Sequence, residues 1–452
     1  MYTSVIGTYF VELYNRKFGT SLTVRQFFDD MYYPLFFDHE KFLMSPVNTP
    51  LFQLIIRKNA GDKTARDKQI QTLHENIAKF QTSSAYLPDM ASAIGYATAD
   101  DYGTTSGQIS SLKPMLADDD LYASWLGSGL AIGIAGGYNM LLPNDEVLWA
   151  IYEGWQVYRN KVEQTDDINN KIDTWNGVWL NHRLSDEYDP DNPNANFQPV
   201  TVENGKNSFE RPSWIEMFFA LAHCASLRNT QSMAYIFKFG QTNSTLGFIQ
   251  LRFSDAHRML DMYRTLFAHN AMTDYQIARL YETHLGFQRA CEAGVIGLRQ
   301  LEPKDLRKYM NGTDKFPTAK DYQKSPITFH LYFTWILAML NNKDFLLLAE
   351  ATASALRTYI SSAKRATTTR SNEVEAVVNA KSKKAFVDAL TVIAEQIIAP
   401  NDGDILLALN NVVNAVHLEI PQDNVSYFIT LLKFKYALSD SMSDAMPNSV
   451  GS

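Results

Sequence analysis

In the last third of the chain, apolar residues recur at intervals of three and four. Phe386, Leu390, Ile393 and Ile397 show the spacing, Ile405, Leu409, Val412 and Val416 repeat it, and Val425 to Leu438 follows it again. That interval puts side chains on one face of an α-helix, and each face must be buried against a neighbour. Between the segments stand Pro400-Asn401-Asp402-Gly403 and Pro421-Gln422-Asp423-Asn424. Proline cannot continue a helix, and Asn, Asp and Gly favour turns. Amphipathic helices joined by short turns pack antiparallel, so residues 326–440 are expected to form a helical bundle. The polar residues 441–452 are expected to form a flexible tail.

The first 325 residues are less regular. Residues 1–16 and 64–80 (Ile70, Leu73, Ile77, Phe80) have helical spacing, whereas Leu246-Gly247-Phe248-Ile249-Gln250-Leu251 is β-prone. Glu163 to Asn207 is a long polar region. Its core, Asp186 to Pro199, contains Asp-Pro, Asn-Pro and Gln-Pro steps, which disfavour helix before each proline, so it is read as a surface excursion. Asp186, Glu187, Asp189 and Asp191 there fit a solvated loop better than a cation site. Leu126 to Leu142 is uncharged but carries five glycines and falls short of the roughly 20 apolar residues of a membrane span. A buried segment with close backbone packing is expected. The fold class is α+β, predominantly helical: an irregular mixed domain over 1–325, then the bundle. A length of 452 residues and 46% hydrophobic content suit two such cores.

Cys224 and Cys291 are far apart and lack C-x-x-C spacing, which argues against a disulfide framework and a structural zinc site and fits a reducing compartment. The start, with Val5, Phe10, Leu13 and Tyr14 in helical register, reads as a folded helix rather than a signal peptide, so a cytoplasmic protein is expected. Gly127, Gly129 and Gly133 miss the dinucleotide fingerprint, because Ile132 stands where its last glycine belongs. Walker A, H-E-x-x-H and G-x-S-x-G patterns do not occur. His257 with Asp261, and Glu282 with His284, are read as ion-pairing or core groups. No cofactor or metal is assigned. A cytoplasmic metal-dependent hydrolase built on His257, Asp261 and acidic neighbours stays open as an alternative, as does a helical adaptor.

Charge supplies the functional signal. The formal net charge is −8, yet Thr352 to Lys384 carries Arg357, Lys364, Arg365, Arg370, Lys381, Lys383 and Lys384 against only Glu373 and Glu375. With Thr367, Thr368, Thr369 and Ser371 beside them, these cations form a candidate phosphate-binding edge. Two neutral segments suit base edges. Asn48, Thr49 and Gln53 lie in a proline-stiffened loop with Lys41, Arg57 and Lys58 nearby, and Gln241 and Asn243 lie between aromatic residues. Amides bond base edges while Lys and Arg meet phosphate.

Phe27-Phe28-Asp29-Asp30, the run Tyr33 to His39, Asn48-Thr49-Pro50, Gly240-Gln241-Thr242-Asn243 and the run Val378 to Leu390 together resemble the large subunit of type I CRISPR Cascade surveillance complexes, the Cas-eight group. The resemblance spans most of the chain. It implies a non-catalytic DNA-binding subunit in antiviral defence that recognises the motif beside the target, supports R-loop formation and recruits a separate nuclease-helicase. The implied partners are the CRISPR RNA-containing Cascade subunits and target double-stranded DNA, with no membrane. It makes the Asn48 loop the first candidate for motif reading and the bundle's cationic edge a candidate for strand binding. In such complexes sequence recognition rests largely on base pairing, so few protein–base contacts are required.

Overall fold

A computed structural model describes residues 2–41, 51, 60–82, 93–94, 117–166, 168, 171–203, 205–228, 231–238, 244–268, 272–363, 367–397 and 403–442. The fold is predominantly helical α+β. The chain divides into two compact units: Met1–Ala256 with Thr273–Leu280 and Gly286–Gly297, and His257–Met272 with Tyr281–Leu285 and Leu298–Ser452.

The first unit holds both sheets. Strands β1 (Ile132–Ile134), β2 (Tyr138–Leu141), β5 (Gln231–Lys238), β6 (Ser244–Arg252) and β7 (Val295–Ile296) lie in the order β1-β2-β5-β6-β7. The pairings are antiparallel except β6–β7, which is parallel. Strands β3 (Val200–Glu203) and β4 (Lys206–Phe209) form a separate antiparallel ribbon. The β-prone run of residues 246–251 is the middle of β6, paired along its length with β5.

The glycines of residues 126–142 serve two purposes. The Asp118–Gly129 helix packs on the Tyr2–Phe18 helix with Gly127 against the Thr3 backbone and Gly7 against the Ala123 backbone. A Cβ at either glycine would overlap a carbonyl oxygen of the facing helix. Gly136 and Gly137 then make the β1–β2 turn with φ of +90° and +83°, a region that favours glycine. The segment is buried with close backbone approach, as its composition suggests. Among the described residues no helix is long and apolar enough to cross a membrane.

Within the polar region Glu163–Asn207 a helix precedes the expected excursion of residues 186–199. Residues Ile172–Arg183 form a helix that buries Trp175, Trp179 and Leu180. Both indoles are anchored on the Asp145–Gln164 helix: Trp175 Nε1 donates to the Gly154 carbonyl at 2.9 Å and Trp179 Nε1 to Ala150 at 2.7 Å. Each buried indole removes about 150–250 Å² from water, worth about 4–6 kcal/mol of gross transfer free energy. Residues 186–199 are turns with mostly exposed side chains, pinned by buried Phe197, which stacks on His182 at 4.4 Å.

The second unit contains the helices Pro326–Leu340, Phe345–Ser361, Thr367–Val378, Lys383–Gln396, Gly403–Leu418 and Val425–Met442. Their apolar spacing matches their buried faces: Phe386, Leu390 and Ile393 on one, and Ile405, Leu409, Val412 and Val416 on the next, are covered. Val425–Met442 packs against the Pro326–Leu340 and Phe345–Ser361 helices. On it, Phe434 sits among the rings of Tyr309, Phe316, Phe329, Tyr332 and Phe333 at 4.6–6.1 Å. Residues 326–440 thus fall in the second unit, which also takes in the chain from Leu298. The expected tail begins inside the last helix, and residues 443–452 lie outside the described residues.

Candidate nucleic-acid interface

The cations of residues 352–384 separate into two groups. Arg357, on the Phe345–Ser361 helix, donates from Nη2 to the Tyr436 carbonyl and lies over the Tyr436 ring at 4.6 Å. Arg370, on the Thr367–Val378 helix, donates from Nη1 to the Tyr359 carbonyl at 2.6 Å and to Ser362 Oγ at 2.7 Å, with its guanidinium 4.3 Å from the Tyr359 ring. It thereby caps the carbonyl end of the preceding helix, where a cation is favoured by the helix dipole. Burial, and then the hydrogen bond to Glu373, push the Tyr359 hydroxyl up to about 12, so it stays a donor to that carboxylate at 2.6 Å. These two arginines tie helices together. Lys364 and Arg365 lie outside the described residues.

Lys381, Lys383 and Lys384 form the second group, joined by Lys433 from the last helix. Ser382 caps the Lys383–Gln396 helix by accepting from the Ala385 amide at 3.2 Å, which places Lys383 and Lys384 in the first turn without an acidic residue. Cations there oppose the helix dipole at about 0.3–1 kcal/mol each. Lys433 donates to Asn379 Oδ1 at 2.7 Å and lies over the Phe316 ring at 4.7 Å. Lys381 Nζ is 3.5 Å from the Asn311 carbonyl. Burial, and secondly the charge of Lys381, lower the Lys433 pKa. Among the described residues no carboxylate ion-pairs with any of the four. Lys381 and Lys433 thus repel each other, and Lys383 and Lys384 follow Lys381 in the chain, which together make a lysine rim.

Lys41 sits elsewhere, in the first unit. Its ammonium donates to the carbonyls of Glu163 at 3.0 Å and Thr165 at 3.1 Å and pairs with Asp166 at 3.3 Å, closing the end of the Asp145–Gln164 helix. Asn48, Thr49, Gln53, Arg57, Lys58, Gln241 and Asn243 lie outside the described residues. The last two belong to the segment between Lys238, the end of β5, and Ser244, the start of β6.

The groups behind the hydrolase alternative have local partners. Asp261 pairs with Arg264 at 2.9 Å, Glu282 with Lys304 at 2.7 Å, and His257 is buried. Among the described residues no three His, Cys, Asp or Glu gather as a metal site. Burial pushes the thiols of Cys224 and Cys291 up to about 12, which leaves both as inert core groups.

One feature lies beyond the sequence patterns: a cleft of about 760 Å³ in the first unit, lined by the β1–β2 turn, the start of the Ile172–Arg183 helix and the β3–β4 ribbon. Asp173 is its hub. It pairs with Arg211 and accepts from the Thr174 amide at 2.9 Å; Asn139, with its amide nitrogen toward Asp173, donates at 2.8 Å. Arg211 Nε donates to Thr174 Oγ1 at 2.9 Å. The adjacent glycines Gly136-Gly137 were the available signal, but Asp173 and Arg211 are 38 residues apart and no local pattern joins them. Comparison with protein-family models, curated proteins and solved structures found no match.

Proposed function

We propose that the chain is a non-catalytic DNA-binding subunit of an RNA-guided surveillance complex, in the position of the Cascade large subunit, recognising the target-adjacent motif, supporting R-loop formation and recruiting a nuclease-helicase. The resemblance over the segments from Phe27 to Leu390 supplies the family reading. The observation that carries DNA binding is the lysine rim. Lys433 lies close enough to Lys381 for its charge to be felt, Lys383 and Lys384 open the helix that follows, and none of the four has a carboxylate partner among the described residues, in a chain whose net charge is −8. Such an arrangement costs stability when empty and is relieved by a polyanion. The overall acidity agrees with a subunit that binds DNA only once assembled with guide RNA and basic partners.

Two experiments test the reading. Affinity purification from the native host, with sequencing of copurified RNA, is expected to return repeat-derived guide RNAs together with backbone subunits. Absence of guide RNA from an intact complex removes the family assignment. In the assembled complex, Lys381→Glu with Lys384→Glu is expected to weaken binding of matched and mismatched DNA alike, because phosphate contacts carry no base identity. Unchanged affinity removes the rim from the interface.

A further inference from the structure

The cleft of the first unit has the chemistry of a second anion site, separate from the lysine rim. Its β1–β2 turn closes at the Ile134–Tyr138 pair, with the Gly137 amide donating to the Ile134 carbonyl at 3.2 Å and the Ala135 amide to Pro212 at 2.9 Å. The turn is thus held at its base while Gly136 and Gly137 present bare backbone to the cleft. A point one Cβ out from Gly137 lies 3.7 Å from Lys238 Nζ and 3.8 Å from Arg211 Nη1. Two cations therefore converge on the Gly137 backbone, with the Lys238 Cε lying over it 3.2 Å from that point.

Their surroundings prepare them for a ligand. Arg211 is fixed through Nε to Thr174 and through Nη2 to Asp173, which leaves Nη1 on the Gly137 side. Asp173 is itself engaged by Arg211, Asn139 and the Thr174 amide, so its charge is already taken up. Lys238 lies 5.2 Å from the Tyr138 ring and has no carboxylate partner among the described residues. Lys171 lines the cleft as a further cation and Glu210 as an opposing charge. Beyond the cations, the hydroxyls of Ser128, Thr201 and Ser208 and the apolar surfaces of Ile172, Val202 and Phe209 offer room and contacts for a sugar and a flat ring. The volume is of the size that small-molecule sites use.

We propose that this cleft binds a phosphate ester of nucleotide size, its phosphate held by Lys238 and Arg211 over the Gly136–Gly137 turn. The shared chemistry has two sources, a free nucleotide or one residue of a nucleic-acid strand. The inference does not rest on the DNA-subunit reading, and Lys381→Glu with Lys384→Glu is expected to leave binding at the cleft unchanged.

The test uses the full chain, with AMP and a single-stranded octanucleotide as separate probes in calorimetric titrations. Saturable binding of AMP assigns the site to a free nucleotide; binding of the octanucleotide alone assigns it to a strand. In either case Lys238→Gln is expected to weaken binding at least tenfold, and Gly137→Ala to weaken it as well, because its Cβ would press on the Lys238 Cε 3.2 Å away. A readout free of any variant is acetylation footprinting of the wild-type chain, in which the bound probe is expected to protect Lys238 and not the exposed Lys68. Failure of both probes to bind, wild-type affinity in Lys238→Gln, or Lys238 labelling unaffected by a saturating probe would overturn the proposal.

Discussion

Residue type alone does not say whether a cation supports the fold or faces a ligand. Arg357, Arg370 and Lys41 read in sequence like phosphate contacts, yet each is committed to backbone carbonyls at a helix junction or end. Such roles depend on which carbonyls the fold brings near, and that information is not local. Lys433, outside the cationic stretch of the sequence, joins the rim because the last helix carries it there. Burial and Lys381 lower its pKa from the ordinary 10.5, so the unfolded chain holds this proton more tightly than the folded one. The sign follows: between the depressed folded value and 10.5, this group makes stability rise with pH. Lys433→Met is expected to remove that rise and to leave stability at neutral pH within about 0.5 kcal/mol or higher, while weakening DNA binding by the complex. Urea denaturation of wild type and variant across this pH range checks it; a marked loss of stability at neutral pH would show Lys433 to be a structural strut. Gly127→Ala probes the opposite case, a residue with no tolerance. Its Cβ would meet the Thr3 carbonyl, so a loss of about 1–3 kcal/mol or more is expected as a lowered urea midpoint with unchanged slope.

At the scale of elements, periodicity is legible where one face is apolar and the other polar. The buried faces of the Lys383–Gln396 and Gly403–Leu418 helices are the ones their spacing picks out. The Ile172–Arg183 helix is masked in the sequence because Asp173, Asn176, Asn181 and His182 dilute its hydrophobicity, although Ile172, Trp175, Trp179 and Leu180 keep helical intervals. Asn176 is itself buried, its amide donating to the carbonyls of Gly129 at 2.7 Å and Ala131 at 2.9 Å, so polarity there is internal rather than solvent-facing. Trp179→Ala is expected to cost about 3–5 kcal/mol, measured by thermal or urea unfolding. A change below about 0.5 kcal/mol, typical of a surface site, would contradict the burial of this helix. Strand β6 is legible from its composition, but its partners are not: the pairing of β2 with β5 joins residues almost a hundred positions apart.

For the whole molecule, helical predominance is readable from the repeat of amphipathic segments, while the division into units draws on contacts between distant stretches of chain. Residues 312–318 are largely exposed, and the following Ala319–Lys324 helix buries no side chain. Limited proteolysis is therefore expected to cut within 312–325 or 186–199 before it cuts the Lys383–Gln396 helix. Early cleavage inside that helix would contradict its place in a packed bundle. The charge distribution bears on the central claim, since a net −8 chain meets DNA only where its cations are gathered. The most direct measurement is the salt dependence of DNA affinity, by fluorescence anisotropy, for the assembled complex with and without Lys381→Glu and Lys384→Glu. The lysine-rim interface predicts weaker binding to all sequences and a log–log salt slope flatter by about 0.7–0.9 for each phosphate that the variant no longer neutralises. An unchanged affinity and slope in a folded, assembled complex would contradict it.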